Sequence, residues 1–125
     1  MDELAILEKV KALEAESWKD CESMERLSPE IVSILEELLE RDPQNAVALT
    51  NLGAMYSNYA RYEEALALLK KAEQLEFADH NLFFNIGVVY ICLKQEEEAK
   101  KYFKLSSTAA TNDLTFEAYI DFHAL

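Results

Sequence analysis

The side chains of this chain best suited to covalent or metal chemistry are few and do not converge. His80 stands beside Asp79, and His123 lies near the end of the chain. Cys21 and Cys92 are far apart and form no CxxC pair. Without paired Cys/His spacing, no metal site is expected. Cys92 reads as a small apolar contact and Cys21 as a core residue. The run Glu96-Glu97-Glu98 suits a helix start, where negative charge complements the dipole. Glycine-rich phosphate loops and the GxSxG and HExxH patterns do not occur. The chain is therefore expected to be non-enzymatic and to need no cofactor. The informative polar groups are amides. Asn51 and Asn85 lie 34 residues apart, and a primary amide both donates and accepts hydrogen bonds. That pairing suits an extended peptide backbone.

The amides repeat together with their surroundings. The two glycines, Gly53 and Gly87, share the spacing, and so do Leu49 and Phe83, Leu52 and Ile86, Tyr56 and Tyr90, Ala65 and Ala99, and Leu69 and Phe103. A fixed period of this size marks a stacked helix–turn–helix array. Gly53 and Gly87 let two helix axes approach, with Leu69 and Phe103 filling the space beside them. Asn45, Asp79 and Asp113 keep the same period and are cap candidates for the helices that follow.

The coarse helical reading is as follows. One long helix spans 2 to about 26. Ser28-Pro29 starts a second, which Asp42-Pro43 ends. Helices then cover about 46–59 and 62–76, and about 81–93 and 96–107. A last helix runs from Leu114 to about Ala124.

These residues make the chain resemble the tetratricopeptide repeat family, strongly over 46–107. The resemblance implies an all-α, right-handed superhelix of antiparallel helix pairs. About three repeat units are expected in one domain over 1–125. Residues 1–45 hold the long first helix and a degenerate repeat, in which Lys19 and Glu22 replace the small residue and the tyrosine. Repeats follow at 46–79 and 80–113, with a C-terminal helix over 114–125. In this family the first helix of each pair lines the concave face, which places Thr50, Asn51 and Asn58, then Asn81, Phe84, Asn85 and Val88, on a peptide-binding groove. Family members that grip a C-terminal carboxylate need cations at places held here by Glu16 and Asp20, so acidic chaperone tails are disfavoured as ligands.

Charge points the same way. The chain carries a net charge of −12, yet 46–60 and 81–93 contain no charged residue. The acidity disfavours nucleic acid and anionic membranes and favours a neutral, apolar or basic protein segment. A partner, or a second copy, is expected to cover the neutral face. The acidic start lacks a secretory pattern and no run is long enough to span a membrane, so a cytoplasmic location is expected. The leading function is a protein-binding adaptor that grips a peptide or helix on its concave face. One alternative is a small acidic chaperone resembling those of type III secretion. Another is a self-association module, homodimerising through Phe116, Tyr119 and Phe122 on the last helix.

Overall fold

The computed structural model describes residues 1–121. Six helices follow one another: α1 (Glu3–Ser17), α2 (Cys21–Arg41), α3 (Ala46–Asn58), α4 (Tyr62–Gln74), α5 (His80–Cys92) and α6 (Glu96–Thr108). They pack as three hairpins, α1 with α2, α3 with α4, and α5 with α6. Short connections make each pair antiparallel. The hairpins stack through α2 on α3 and α4 on α5, and α3 also touches α5. The expected all-helical array is present.

The capping residues explain where the helices begin. Asn45 accepts from the Ala48 N–H at 3.0 Å and Asp79 from the Leu82 N–H at 3.1 Å. Each satisfies a first-turn donor that has no partner inside the helix. The helix ends are built from residues the sequence did not advertise. Ala60, Glu76 and Lys94 follow α3, α4 and α5 with φ of 61°, 62° and 63°. Behind each, a pair of N–H groups turns back onto the last carbonyls. Arg61 bonds Tyr56 at 2.9 Å and Ala60 bonds Ser57 at 2.9 Å, and the same pattern recurs after α4 and α5. This is a left-handed helix stop made without glycine.

The glycines serve helix packing instead. A Cβ on Gly53 would lie 2.6 Å from Cγ and Cδ2 of Leu69, and one on Gly87 would lie 2.6 Å from Cε1 of Phe103. Both contacts join the two helices of a hairpin. The core runs through all three hairpins, from Leu7 and Val10 of α1 to Ile86 and Val89 of α5 and Tyr102 of α6.

Two expectations need correction. The first concerns the opening hairpin, whose turn falls at Trp18–Asp20 rather than near Ser28. The Asp20 side chain accepts from the Ser23 N–H at 2.7 Å and starts α2 there. Cys21 is consequently the exposed first residue of α2, not a core residue. Leu27, Ile31, Leu35 and Leu38 then form one buried stripe that passes straight through Pro29. The proline is exposed, so the carbonyl it deprives of an internal donor belongs to the solvent side of the helix.

The second correction concerns the end of the chain. Residues 114–121 are not helical, and Asp113 caps no helix. The segment runs along α3 and α5 with the hydrogen bonds of an extended strand. The rest of the expected helix, including Phe122, lies outside the described residues.

Candidate functional site

The concave face is formed by α3 and α5, with α1 alongside, and the C-terminal segment fills it. Asn51 donates from Nδ2 to the Leu114 carbonyl at 2.9 Å and accepts from the Phe116 N–H at 3.1 Å. Asn85 repeats the arrangement two residues later. Its Nδ2 donates to the Phe116 carbonyl at 3.0 Å and its Oδ1 accepts from the Ala118 N–H at 2.7 Å. Each amide therefore closes a two-bond pairing with main chain, as a neighbouring β-strand would. Asn58, at the end of α3, accepts from the Tyr119 N–H at 2.8 Å.

Further contacts fix where the segment enters. Asn112 donates its N–H to Asp79 Oδ1 at 2.6 Å, so one carboxylate both caps α5 and anchors the segment. The His80 N–H donates to the Ala110 carbonyl at 2.9 Å. Asn81 Nδ2 donates to Thr115 Oγ1 at 3.1 Å, and Lys11 Nζ of α1 donates to the Thr115 carbonyl at 2.6 Å.

Burial shows how complete the fit is. Asn51 and Asn85 are 0 % exposed, and Phe116 and Ala118 only 2 % and 3 %. A buried amide without partners costs about 1–3 kcal/mol. Here the segment satisfies both amides and adds Phe116 and Ala118 to the hydrophobic core. The neutrality of α3 now has a physical cause. Every residue from 48 to 57 is buried. Neighbouring helices enclose α3 on its outer sides and the chain's own end covers the groove side. The covering expected from a partner or a second copy is supplied in cis.

Other anticipated groove residues divide into two groups. Asn51, Asn58, Asn81 and Asn85 all touch the segment. Phe84 lines a cleft of about 520 Å³ along its edge and sits against Phe103, ring centroids 5.6 Å apart. Thr50 is buried and bonds back to the Ala46 carbonyl at 2.8 Å. Val88 is fully buried in the core. Of the residues expected to self-associate, Phe116 is buried inside the protein and unavailable, whereas Tyr119 remains 56 % exposed. The segment itself, residues 112–120, was missed as part of the site. Its signal was the alternation of Leu114, Phe116, Ala118 and Ile120 with Thr115, Glu117, Tyr119 and Asp121, broken only by the aromatic ring of Tyr119.

Beside the segment a second cleft of about 550 Å³ stays open, walled by Trp18, Met55, Tyr59, Phe116 and Tyr119 among others. The Trp18 indole N–H donates to Glu14 Oε2 at 2.6 Å. Burial raises the Glu14 carboxyl above its ordinary range, against the opposing pull of that hydrogen bond and of Lys11. Among the described residues, no group of three or more His, Cys, Asp or Glu side chains is placed to hold a metal ion. None of their helices is long and apolar enough to cross a membrane.

Comparison with known proteins agrees with this architecture. Two tetratricopeptide repeat models match, at residues 34–67 and 80–113. The type IV pilus assembly protein PilF of Pseudomonas aeruginosa is 37 % identical over 70 residues, covering 54 % of this chain. The match spans only 28 % of that protein's length. With glycine-packed hairpins at a 34-residue period and family matches that together cover 34–67 and 80–113, this chain belongs to the tetratricopeptide repeat family.

Proposed function

We propose that the protein is a non-enzymatic interaction module whose concave groove binds an extended segment of a partner in place of its own C-terminal segment. Repeats of this family mediate protein–protein interaction, but the fold leaves the mode of binding open. The observation that carries the mode is the pair of two-bond clamps made by Asn51 and Asn85 on residues 114–118. These bonds reach main chain, so they accept any extended segment. Selection falls to the buried places now held by Phe116 and Ala118, which suit one large and one small apolar side chain. The resident segment acts as a tethered competitor, at an effective concentration on the order of millimolar for a short linker. The partial likeness to a pilus assembly protein supports a setting within a multi-protein assembly.

The test uses a fluorescent peptide with the sequence of residues 112–121. Phe116→Asp in the 125-residue chain is expected to expel the resident segment while leaving the groove intact. That variant is expected to capture the peptide at least tenfold more tightly than the unaltered chain. Adding Asn51→Ala and Asn85→Ala is expected to abolish capture. Equal, weak binding by all three proteins would refute the reading.

A further inference from the structure

The clamped segment leaves part of the concave side open, and its composition is unlike the rest of the surface. The cleft of about 550 Å³ lies between the start of α2, the end of α3 and residues 116–119. Trp18, Met24, Tyr59 and Tyr119 line it and are 45 %, 37 %, 46 % and 56 % exposed. They are half of the eight large apolar side chains that stand exposed among the described residues. Single exposed apolar residues are ordinary, but four gathered on one concavity mark a contact surface. The Trp18 and Tyr119 rings lie 5.8 Å apart, and the Trp18 indole is fixed by Glu14. The only charged residues lining the cleft are Glu14 and Glu25; Lys11, which acts on the Glu14 carboxyl, is not part of the lining.

We propose that this cleft docks a partner segment presenting a bulky apolar side chain flanked by lysine or arginine. The apolar floor takes the side chain. The two carboxylates and the faces of Trp18, Tyr59 and Tyr119 attract the neighbouring cation. A second copy of this chain is a poor occupant, because a net charge of −12 on each copy opposes it.

The proposal is separate from the groove reading and is coupled to it in one respect. Phe116 and Tyr119 belong to the C-terminal segment, so the cleft is complete only while that segment is clamped. A ligand in the cleft therefore holds the segment down, and a strand that displaces the segment removes a wall of the cleft. By linkage the two ligands weaken each other.

Trp18 is the sole tryptophan of the chain and reports directly on the site. The probes are three blocked tripeptides, Lys-Phe-Lys, Glu-Phe-Glu and Lys-Ala-Lys, titrated into the 125-residue chain. Saturable change in Trp18 emission is expected with Lys-Phe-Lys, and at least tenfold weaker binding with the other two. Glu25→Lys, an exposed substitution, is expected to weaken Lys-Phe-Lys about tenfold with unchanged circular dichroism. No saturable change, an equal response to Glu-Phe-Glu, or full binding by Glu25→Lys would each overturn the proposal. So would sedimentation showing dimers whose formation alone shifts Trp18 emission, since the occupant would then be a second copy. Failure of the groove to capture the 112–121 peptide would leave these results unaffected.

Discussion

An asparagine side chain sets an N–H donor beside a carbonyl acceptor on a single planar amide, the same pair a peptide unit shows to a neighbouring strand. That is why Asn51 and Asn85 can replace a β-partner from the side of a helix. Their capacity for this was legible in the sequence, because the residue type and the 34-residue spacing sufficed. Their target was not, since nothing in a repeat pattern says which chain supplies the strand. Glu14 shows a different residue-scale effect. Its carboxyl titrates above the ordinary glutamate value of 4.5, chiefly because the folded chain buries it. The native state then holds the proton longer than the unfolded state, so this group's contribution to stability falls as pH rises from about 4.5 through the raised value. Glu14→Gln keeps an acceptor for the Trp18 indole and removes the penalty. The variant is expected to gain stability relative to the parent as pH increases across that window, and to show no gain below it. Urea midpoints measured from pH 4 to 7 check this, and a pH-independent difference would contradict it.

At the scale of elements, the hairpins were readable because each rests on a residue with one physical use. A mid-helix glycine costs about 1 kcal/mol in helix propensity, so its presence twice at the same phase announces close packing. The contacts with Leu69 and Phe103 are that packing. They are not equivalent. Leu69 is fully buried and meets the added carbon at its branch point, whereas Phe103 is half-buried and offers a ring edge that can tilt away. Gly53→Ala is expected to destabilise by about 1–2 kcal/mol, overpacking outweighing the propensity gain, and Gly87→Ala by less than about 1 kcal/mol. Chemical denaturation ranks the two, and the reverse order would show the packing argument wrong. The helix stops at Ala60, Glu76 and Lys94 were harder to read, because a left-handed stop usually advertises itself with glycine. The start of α2 was misplaced for a related reason. Ser28-Pro29 is a strong local signal, but the buried stripe from Leu27 to Leu38 and the Asp20 cap outweigh it. In the C-terminal segment, Leu114, Phe116, Tyr119 and Ile120 can be fitted to a helical face. Only the alternation at every second residue distinguishes the strand.

For the whole molecule, a concave helical surface is closed by a strand from its own end. The six helices do not depend on that closure for their hairpin contacts, whereas residues 114–119 depend on the groove for most of their hydrogen bonds. Stability is therefore expected to divide into a robust helical stack and a weaker terminal unit. Asn51→Ala combined with Asn85→Ala is expected to leave far-ultraviolet circular dichroism nearly unchanged while exposing the chain to chymotrypsin after Phe116 and Tyr119. Global loss of helix in that variant would mean that the strand is integral to the stack. Continued protection of Phe116 would mean that apolar packing alone holds it.

The two clamps also define a measure. Asn51 straddles residue 115 and Asn85 straddles residue 117. Asn58, on the same helix as Asn51, then meets residue 119, so the strand runs lengthwise along α3 and α5 rather than from repeat to repeat. A strand shifted by a single residue would meet every amide with the wrong face, turning outward the side chains that now lie inward. The facing asparagines work as a gauge of frame, indifferent to most side chains yet strict about which of them turn inward.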